Sequence, residues 1–386
     1  MTRPLAVCAV SGGRADYGLL VSPLRAMRRD PAFAVSLVLT GQHLVARAGD
    51  TAARARADGF AVTAEVDMGL AGDDPVAVTQ AAGRGLAGMA EVLARLTPDL
   101  LLLLGDRYEI LCAAVAATIA RVPIGHIAGG DVTEGAFDDA FRHAVTKMAH
   151  LHFVTNADAA RRVRQLGEPA DRIHVVGSPG LDLIRTAMPP SRAELFASVR
   201  LEPRRFNILV TFHPVTLAAD SLRQLDELLA ALALLGDDVA ILFTGSNADP
   251  EAGAIERRVQ DFVAGHGGAA FVPSLGAERF FAALTHMNVF VGNSSSGLYE
   301  APSFGIPTVN VGDRQKGRLK ATSVIDCPPQ RGPISEAIAQ ALARGRQPTV
   351  NPYGDGHAGE RIVAVLKTVS EPTALLRKAF VDVLAA

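Results

Sequence analysis

Titratable side chains are crowded into one short span of a chain that is otherwise rich in apolar residues. Between positions 127 and 152 the sequence contains Asp131, Glu134, Asp138, Asp139, Arg142, His143, Lys147, His150 and His152. Charged residues make up only 20% of the whole chain, so this density is unusual. Burial raises the pKa of a carboxyl group and a nearby cation lowers it, so neighbouring carboxylates can hold different protonation states. The span therefore predicts acid-base chemistry, for which the candidates are Asp131, Glu134, Asp138 and Arg142.

A further carboxylate, Asp106, directly follows five leucines and a glycine. We predict that this apolar run is a buried strand and that Asp106, with Arg107 beside it, lies at the end of the strand near the acidic span. A simpler interpretation remains for part of the set. Asp138 and Asp139 fit the first turn of a helix, where acidic residues favour the dipole, and Asp138 could form a solvated ion pair with Arg142.

Three consecutive serines followed by glycine, at positions 294–297, predict an anion site. They follow an apolar, strand-like segment and open a predicted helix, whose N-terminus offers hydroxyl and backbone N–H groups to a diphosphate. His213 ends another strand-like segment and is a candidate ligand for the same phosphates. The alternative is ordinary helix capping, because serine is a favoured N-cap residue. The chain has no G-x-x-x-x-G-K-[ST] motif, which argues against an ATPase.

Short apolar runs alternate with longer amphipathic segments, which is the pattern of an α/β protein with parallel sheets. The predicted strands are 5–10, 35–40, 100–105, 123–127 and 151–155 in the first half, and 208–211, 239–244, 269–272, 289–292 and 308–311 in the second. The predicted helices are 19–29, 41–58, 75–96, 107–120, 138–149, 221–235, 255–265, 276–285 and 298–304. Ligands of such sheets bind outside the carboxyl ends of the strands, so we expect polar residues of both halves to line one cleft.

The length of 386 residues exceeds what one hydrophobic core usually serves, so two domains are expected. We predict a doubly wound, Rossmann-like domain at 1–176, a hinge at 177–206 and a second such domain at 207–368, the two facing the cleft. Four prolines mark the hinge, at positions 179, 189, 190 and 203. Residues 369–386 are predicted to form a C-terminal helix that packs back on the first domain.

The composition argues against several partners. With 38 basic and 40 acidic residues the formal net charge is -2 and no basic block is present, so no nucleic-acid partner is expected. The apolar run at the N-terminus is too short for a signal segment or a membrane span. Cys8, Cys112 and Cys327 show no C-x-x-C or metal-ligand spacing, which predicts a reduced, cytoplasmic setting and no metal site. Amphipathic helices in the first half suggest a homo-oligomer, either a dimer or a tetramer.

Four segments of the chain resemble the hydrolysing UDP-N-acetylglucosamine 2-epimerases of bacterial sialic and legionaminic acid biosynthesis. They read SGGRADYGLL, LGDRYEIL, HIAGGDVTEGAFDDAFRHAVTKMAHLHFVTN and GNSSSGLYEAPSFGIPTVNVGDRQKGR. The resemblance implies the two-domain fold shared with GT-B glycosyltransferases, a sugar nucleotide held between the domains, and no cofactor. It also implies a reaction: a base removes the C2 proton of the sugar, the nucleoside diphosphate leaves C1, and water adds to the resulting glycal.

The same resemblance implies roles for individual residues. Asp106 and Asp138 match carboxylates of the acid-base steps, and Arg107 and Arg142 lie near the diphosphate or orient those acids. His126 is not assigned by the resemblance; the sequence places it beside these residues as a candidate binding residue. Those at the diphosphate and the ribose are His213, Ser294, Ser295, Ser296 and Glu300. Those on the sugar side are Arg14, Asp16 and His43. Arg314 resembles one further contact in the cleft.

One position departs from the family. Several members read His-Ile-Glu-Gly-Gly where this chain has Ala128 in His-Ile-Ala-Gly-Gly. Either Asp131 or Glu134 takes over the role of that carboxylate, or the pocket accepts a UDP- or GDP-linked 2,4-diacetamido-2,4,6-trideoxy sugar in place of UDP-N-acetylglucosamine. A non-hydrolysing epimerase, a GT-B glycosyltransferase and a sugar-nucleotide-binding regulator without chemistry are the alternatives at this point.

Overall fold

The computed structural model describes residues 3–45, 51–70, 72, 74–132, 138–214, 220–245 and 252–382. The chain divides into two compact units. Unit one comprises Met1–Leu183 and Tyr353–Ala386, and unit two comprises Ile184–Pro352. Each unit is built on one parallel sheet.

Unit one contains a seven-stranded sheet with the order β3-β2-β1-β4-β5-β6-β7. Its strands are β1 (Leu5–Ser11), β2 (Phe33–Thr40), β3 (Val62–Val66), β4 (Leu100–Leu104), β5 (Ile124–Ile127), β6 (Leu151–Val154) and β7 (Ile173–Val175). Its helices are α1 (Arg14–Arg28), α2 (Thr51–Ala57), α3 (Pro75–Leu96), α4 (Tyr108–Ala120), α5 (Asp138–Met148), α6 (Ala157–Gln165), α7 (Pro179–Thr186, which continues into unit two) and α14 (Ala358–Leu366). Shorter 3-10 helices lie at Gly41–Leu44, Ala170–Arg172 and Pro372–Leu376.

Apolar side chains cover both faces of this sheet, as is usual for a parallel sheet between helices. β4 consists of five leucines, and all five are buried. In β1, Val7 and Ala9 pack into one core, whereas Cys8 and Val10 pack into the core on the opposite face. Alternate side chains of a strand point to opposite faces, which explains this division. The central strands are therefore rigid, and the residues after their carboxyl ends are held in place.

Unit two contains a six-stranded sheet with the order β10-β9-β8-β11-β12-β13. Its strands are β8 (Phe206–Thr211), β9 (Val239–Thr244), β10 (Ala269–Val272), β11 (Val289–Gly292), β12 (Thr308–Val311) and β13 (Val324–Cys327). Its helices are α8 (Arg192–Val199), α9 (Ser221–Leu232), α10 (Ala252–Ala264), α11 (Gly276–His286), α12 (Ser296–Tyr299) and α13 (Arg331–Arg344), with a 3-10 helix at Ala301–Phe304. Alternate residues of β8, β9 and β11 pack against α9 and α13 in one core.

The predicted α/β class with two doubly wound parallel sheets is confirmed. The sequence pattern does not predict β3, β7 and β13, each of which lies at an edge of its sheet. These strands are short and partly exposed, so they lack the continuous apolar run of a buried parallel strand. The predicted helix 41–58 is also different. A 3-10 helix occupies its beginning and α2 its end, with residues 46–50 outside the described part of the chain.

The two units also differ from the predicted domain limits. The predicted hinge, 177–206, contains α7 and α8, and residues 353–368 group with unit one. A buried carboxylate explains this grouping. Asp182 accepts hydrogen bonds from the backbone N–H groups of Ala358 (2.9 Å) and Gly359 (2.7 Å) at the start of α14, and from the Ser22 hydroxyl of α1 (2.5 Å).

The C-terminal segment is not the predicted helix. Residues 369–382 form only the 3-10 helix Pro372–Leu376 followed by extended chain, and the last four residues lie outside the description. The segment nevertheless contacts the rest of unit one. The Arg172 guanidinium donates to the carbonyl oxygens of Leu375 (2.7 Å) and Arg377 (2.8 Å).

The helix α3 contains a sequence that matches the dinucleotide-binding fingerprint, Gly83-Arg84-Gly85-Leu86-Ala87-Gly88. That fingerprint binds a pyrophosphate only at a turn between a strand and a helix, and here it lies inside the helix. α3 is 22 residues long. No helix in the described part of the chain, α3 included, is long and apolar enough to cross a membrane.

Candidate active site

The first group of candidate side chains lies at the carboxyl end of β4 and at the start of α5 in unit one. Asp106 follows β4 after one glycine, and its carboxylate forms an ion pair with the Arg142 guanidinium. Arg142 is buried and lies one turn after Asp138, the first residue of α5. Asp139, in the same first turn, lies 3.6 Å from Arg142. Of the predicted acid-base residues, the structure thus brings Asp106, Asp138 and Arg142 together.

Two carboxyl groups near this pair have raised pKa values. Burial raises the pKa of Asp138, and the negative charge of Asp106 raises it further, against the opposing charge of Arg107. Burial raises the pKa of Asp16, in the first turn of α1, to about 7. Asp16 is 8% exposed, and its Oδ2 atom has no hydrogen-bond partner in the described part of the chain. Asp16 can therefore carry a proton near neutral pH, unlike an ordinary aspartate.

Arg107 is held by a buried carboxylate at the start of α4. Its guanidinium donates from Nε to Glu109 Oε2 (3.1 Å) and from Nη2 to Glu109 Oε1 (2.9 Å). Such two-point pairs fix the orientation of an arginine. The Glu109 side chain needs space beside Gly41, where a Cβ atom would lie 2.7 Å from Glu109 Oε1. Gly41 also has a φ angle of 58°, which glycine adopts without strain.

The predicted sugar-side residues of unit one are divided between surface and interior. Arg14 begins α1 and is exposed, whereas His43 is buried in the 3-10 helix after β2. His43 Nε2 lies 2.9 Å from the Ser11 hydroxyl at the end of β1. Burial lowers the pKa of His43, so its imidazole is neutral at pH 7. This contact links the residues at the carboxyl ends of β1 and β2.

His126 does not have the environment of a binding residue. It is fully buried, and burial lowers its pKa to about 3. Its Nε2 lies 2.8 Å from the Gly105 carbonyl oxygen and its Nδ1 lies 3.1 Å from the Thr146 hydroxyl. A carbonyl oxygen only accepts, so Nε2 carries the proton and Nδ1 accepts from the hydroxyl. The predicted contact with substrate is therefore replaced by an internal link between the end of β4 and α5.

The second group of candidates lies at the carboxyl ends of β8 and β11 in unit two. The Asn293 amide holds the backbone of His213, because Oδ1 accepts from its N–H (2.7 Å) and Nδ2 donates to its carbonyl oxygen (2.8 Å). The Nε2 atom of His213 lies 3.2 Å from the Ser294 hydroxyl. Burial lowers the pKa of His213 to about 4, and the charge of Arg314 adds to the effect. The imidazole is therefore neutral at pH 7.

The serine segment after β11 is a tight turn. Gly292 has a φ angle of 137°, and a Cβ atom there would collide with the Thr211 carbonyl oxygen of β8. Ser295 precedes α12 and makes no side-chain capping bond. α12 has four residues in place of the predicted helix 298–304, so its dipole is small. Hydroxyl and backbone N–H groups, and not a long helix, are what this turn offers to an anion.

Two more predicted residues of unit two lie near this turn. Arg314 donates to the carbonyl oxygens of Pro214 (3.2 Å) and Asn293 (3.2 Å). Burial raises the pKa of Glu300, whose Oε2 atom has no hydrogen-bond partner in the described residues. A buried carboxyl oxygen without a partner is costly.

A family model described as UDP-N-acetylglucosamine 2-epimerase matches residues 25–367, which contain most residues of both groups. The chain belongs to this family. It is therefore an enzyme, and its general activity is that of a sugar-nucleotide 2-epimerase. The fold of the chain also resembles that of a solved structure. A UDP-N-acetylglucosamine 2-epimerase from Neisseria meningitidis, solved with UDP-N-acetylglucosamine bound, matches with a TM-score of 0.74 at 17% identity, over 94% of this chain and 100% of that chain.

Two curated relatives of this epimerase carry more specific names. A hydrolysing UDP-N,N'-diacetylbacillosamine 2-epimerase from Legionella pneumophila is 34% identical over 370 residues, which are 96% of this chain and 97% of the relative. A hydrolysing GDP/UDP-N,N'-diacetylbacillosamine 2-epimerase from Campylobacter jejuni is 31% identical over 322 residues, 83% of each chain. Both names describe those proteins.

The epimerase has an unusual conformation at Ala128, directly after β5. Ala128 has a φ angle of 63°, in the left-handed region, and its side chain packs against the apolar core of unit one. Asp131 accepts hydrogen bonds from the Thr155 hydroxyl (2.8 Å) and the Asn156 amide (3.3 Å), both after β6. Asp131 is therefore oriented by the loop after β6. Glu134 lies outside the described residues.

Three buried residues outside the predicted site residues support the epimerase site. Glu109 holds Arg107, Asn293 holds His213, and Gln315 donates from Nε2 to the Asn293 carbonyl oxygen (2.8 Å). Asn293 and Gln315 follow β11 and β12, so their position after a strand was the available signal. Glu109 has no such signal, because a glutamate in the first turn of a helix is common.

Proposed function

We propose that this epimerase is a hydrolysing enzyme whose substrate is a UDP- or GDP-linked 2,4-diacetamido-2,4,6-trideoxyhexose. A base removes the proton from C2, the C1–O bond breaks, and its electron pair leaves with the nucleoside diphosphate. Water then adds a hydroxyl group to C1 of the glycal and a proton returns to C2 on the opposite face. The products are a free sugar with inverted C2 and the nucleoside diphosphate. Such a sugar would serve nonulosonic acid biosynthesis of the sialic or legionaminic type.

The observation that carries the proposal is the pairing of Asp106 with Arg142 beside a carboxyl group of raised pKa, Asp138. Removal of a C2 proton and its return to the other face require one ionised and one protonated group. Asp106, whose carboxylate is held by the Arg142 guanidinium, is positioned to act as the base. The raised pKa of Asp138 suits the proton donor.

Unit two offers groups suited to the leaving diphosphate. His213 is neutral at pH 7 and can donate a hydrogen bond, and Ser294, Ser295 and Arg314 add hydroxyl and cationic donors. Stabilising the charge that develops on the leaving group lowers the barrier to elimination. Glu300, with its unpartnered carboxyl oxygen, is suited to the ribose hydroxyls. No metal or redox step is needed for this reaction.

The diacetamido substrate is supported by Ala128 and by the names of the Legionella and Campylobacter relatives. Ala128 directly follows β5, and the Ile127 carbonyl oxygen accepts from the Gly105 N–H (3.1 Å), so this position neighbours Asp106. An alanine there does not present the carboxylate that a glutamate would, which suits a less polar substituent. UDP-N-acetylglucosamine, the substrate in the family's name, is the competing candidate.

A direct assay separates these substrates and products. The purified enzyme is incubated with the UDP- and GDP-linked diacetamido sugars and with UDP-N-acetylglucosamine, while nucleotide release and the product's NMR spectrum are followed. We expect a nucleoside diphosphate and a free 2-epimerised diacetamido sugar. Turnover of UDP-N-acetylglucosamine alone would refute the substrate, and a sugar that stays linked to its nucleotide would refute hydrolysis. Nucleotide release only after an acceptor is added would indicate a glycosyltransferase.

A further inference from the structure

The segment after the last 3-10 helix, residues 377–381, packs against the rest of unit one. The Val381 N–H donates to the Gly167 carbonyl oxygen (2.9 Å), and the Phe380 ring lies under the Lys147 ammonium group, 4.5 Å from its centroid. Lys378 lies between these residues and the Arg172 contacts described above. Its side chain is only 13% exposed, which is low for a lysine.

The Lys378 ammonium group binds the C-terminal end of α5. It donates to the carbonyl oxygens of Lys147 (2.7 Å), in the last turn of the helix, and of Ala149 (2.6 Å), directly after it. The last carbonyl groups of a helix have no partner inside the helix and carry partial negative charge, so a cation there is favourable. Lys378 therefore caps the C-terminal end of α5 from a distant part of the chain.

A buried carboxylate holds Lys378 in this position. Glu168 is fully buried, and its Oε2 lies 2.8 Å from the Lys378 ammonium group and 2.9 Å from His152 Nε2. Its Oε1 accepts from the Lys147 ammonium group (2.7 Å). None of these four side chains takes part in the proposed chemistry. Together they join the C-terminal segment, the end of α5 and the start of β6.

The opposite end of α5 carries proposed reactive groups. The helix has 11 residues and is therefore about 16 Å long. Asp138 lies at its first position, and Arg142, one turn later, pairs with Asp106. His126 holds the helix at Thr146, near the Lys378 cap. A short helix moves as one body. A displacement of its C-terminal end therefore also displaces the residues at its N-terminal end.

We infer that Lys378 is a positioning residue, which fixes α5 and thereby the placement of Asp138 and Arg142 relative to Asp106. The inference rests on the proposed roles of those three residues. A displacement of about 1 Å of a reacting group can cost about 100-fold in rate, even when its cause lies far from the chemistry. The proposed anion-binding groups belong to unit two and α5 belongs to unit one, so we expect nucleotide affinity not to depend on Lys378.

The test compares Lys378→Met with Lys378→Arg and with Lys367→Met. Lys367 pairs with Asp30 (2.8 Å) on the surface of unit one and is the matched control. We expect Lys378→Met to lower kcat about ten-fold or more with KM within about two-fold of the original enzyme, whereas Lys378→Arg keeps most activity because a guanidinium also donates to carbonyl oxygens. Lys367→Met should leave both constants unchanged.

Several outcomes overturn the inference. One is a kcat of Lys378→Met within two-fold of the original, and another is a loss that only follows the unfolded fraction, measured by circular dichroism on the same samples. Glu168 keeps Lys147 and His152 as partners in Lys378→Met, so this variant should fold. If it does not fold, Phe380→Ala is measured instead, because it removes the ring that contacts Lys147 from the same segment. A lower kcat for Phe380→Ala would support the inference, and an unchanged kcat would overturn it. Absence of turnover by the original enzyme would instead refute the proposed function.

Discussion

The two units place different chemistry at corresponding positions of similar sheets. β4 pairs with β1, the first strand of unit one, and β11 pairs with β8, the first strand of unit two. In each case a glycine of positive φ precedes the polar residue, giving Gly105-Asp106 in one unit and Gly292-Asn293 in the other. Aspartate and asparagine have nearly the same shape, so the two positions differ chiefly in charge.

That difference decides what each position does. The Asp106 carboxylate can only accept hydrogen bonds when ionised, and it pairs with the buried Arg142 guanidinium. The Asn293 amide both donates and accepts, and it binds the backbone N–H and the carbonyl oxygen of His213. The fold thus supplies the position, and one side-chain atom separates the proposed reactive group, Asp106, from a supporting one, Asn293.

Asp106→Asn tests this comparison most strongly, because it places in unit one the residue type that unit two has at the corresponding position. An amide cannot take up the C2 proton, so we expect turnover to fall by about two to four orders of magnitude. Nucleotide binding, measured by calorimetry, should survive. The control is Asp158→Asn, which removes an exposed pair with Arg161 on α6 and should leave turnover unchanged. A loss of ten-fold or less for Asp106→Asn would contradict an acid-base role.

The fold and the main strand-end residues were predictable because they depend on local patterns. Five leucines in succession can only be a buried strand or helix, and their short length with a following Gly-Asp favours the strand. The edge strand β7 and the return of residues 353–368 to unit one depend on contacts distant in sequence. Asp182, for example, bonds to groups more than 170 positions away, and no local pattern indicates that.

The site was predictable in its residue types but not in its internal support. Asp106 and Arg142 stand out as polar residues in an apolar chain, and the structure pairs them. His126 stands out equally, yet it is an interior link, because a histidine in a sequence does not reveal whether its ring faces solvent or a buried carbonyl oxygen. Lys378 looks like any surface lysine near a chain end. Only its three-dimensional neighbours reveal its burial.

Asp16→Asn tests whether a buried carboxylate near Asp106 in unit one reduces the free energy of unfolding. Folding raises the pKa of Asp16 from 3.8 to about 7. Such a group contributes stability that is fully present below its unfolded pKa and is lost as pH rises toward the folded value. The amide avoids this loss, so the variant should be more stable than the original above pH 7, by about 2–4 kcal/mol at about 1.36 kcal/mol per pKa unit. The gap should close as pH falls from 7 to 4.

Urea unfolding at several pH values measures this gap. Asp158→Asn again serves as the control and should show no gain above pH 7. An Asp16→Asn variant that is equally stable or less stable at pH 8 would show that the carboxylate is compensated in the folded protein. The buried carboxylate in unit one would then carry no net cost, and the comparison of the two units would lose its electrostatic basis.

Ser295→Ala probes the other side of the comparison with the smallest expected effect. Ser295 makes no capping bond of its own, so its hydroxyl is suited to a phosphate oxygen. Loss of one hydrogen bond to a charged group should weaken nucleotide binding by about 1–2 kcal/mol, with kcat nearly unchanged. Ser198→Ala, at an exposed position of α8, is the control for calorimetry with the free nucleoside diphosphate. If Ser295→Ala instead lowered kcat and left affinity intact, the serine turn would act in the chemical step. The division between a reactive unit and a binding unit would then be wrong.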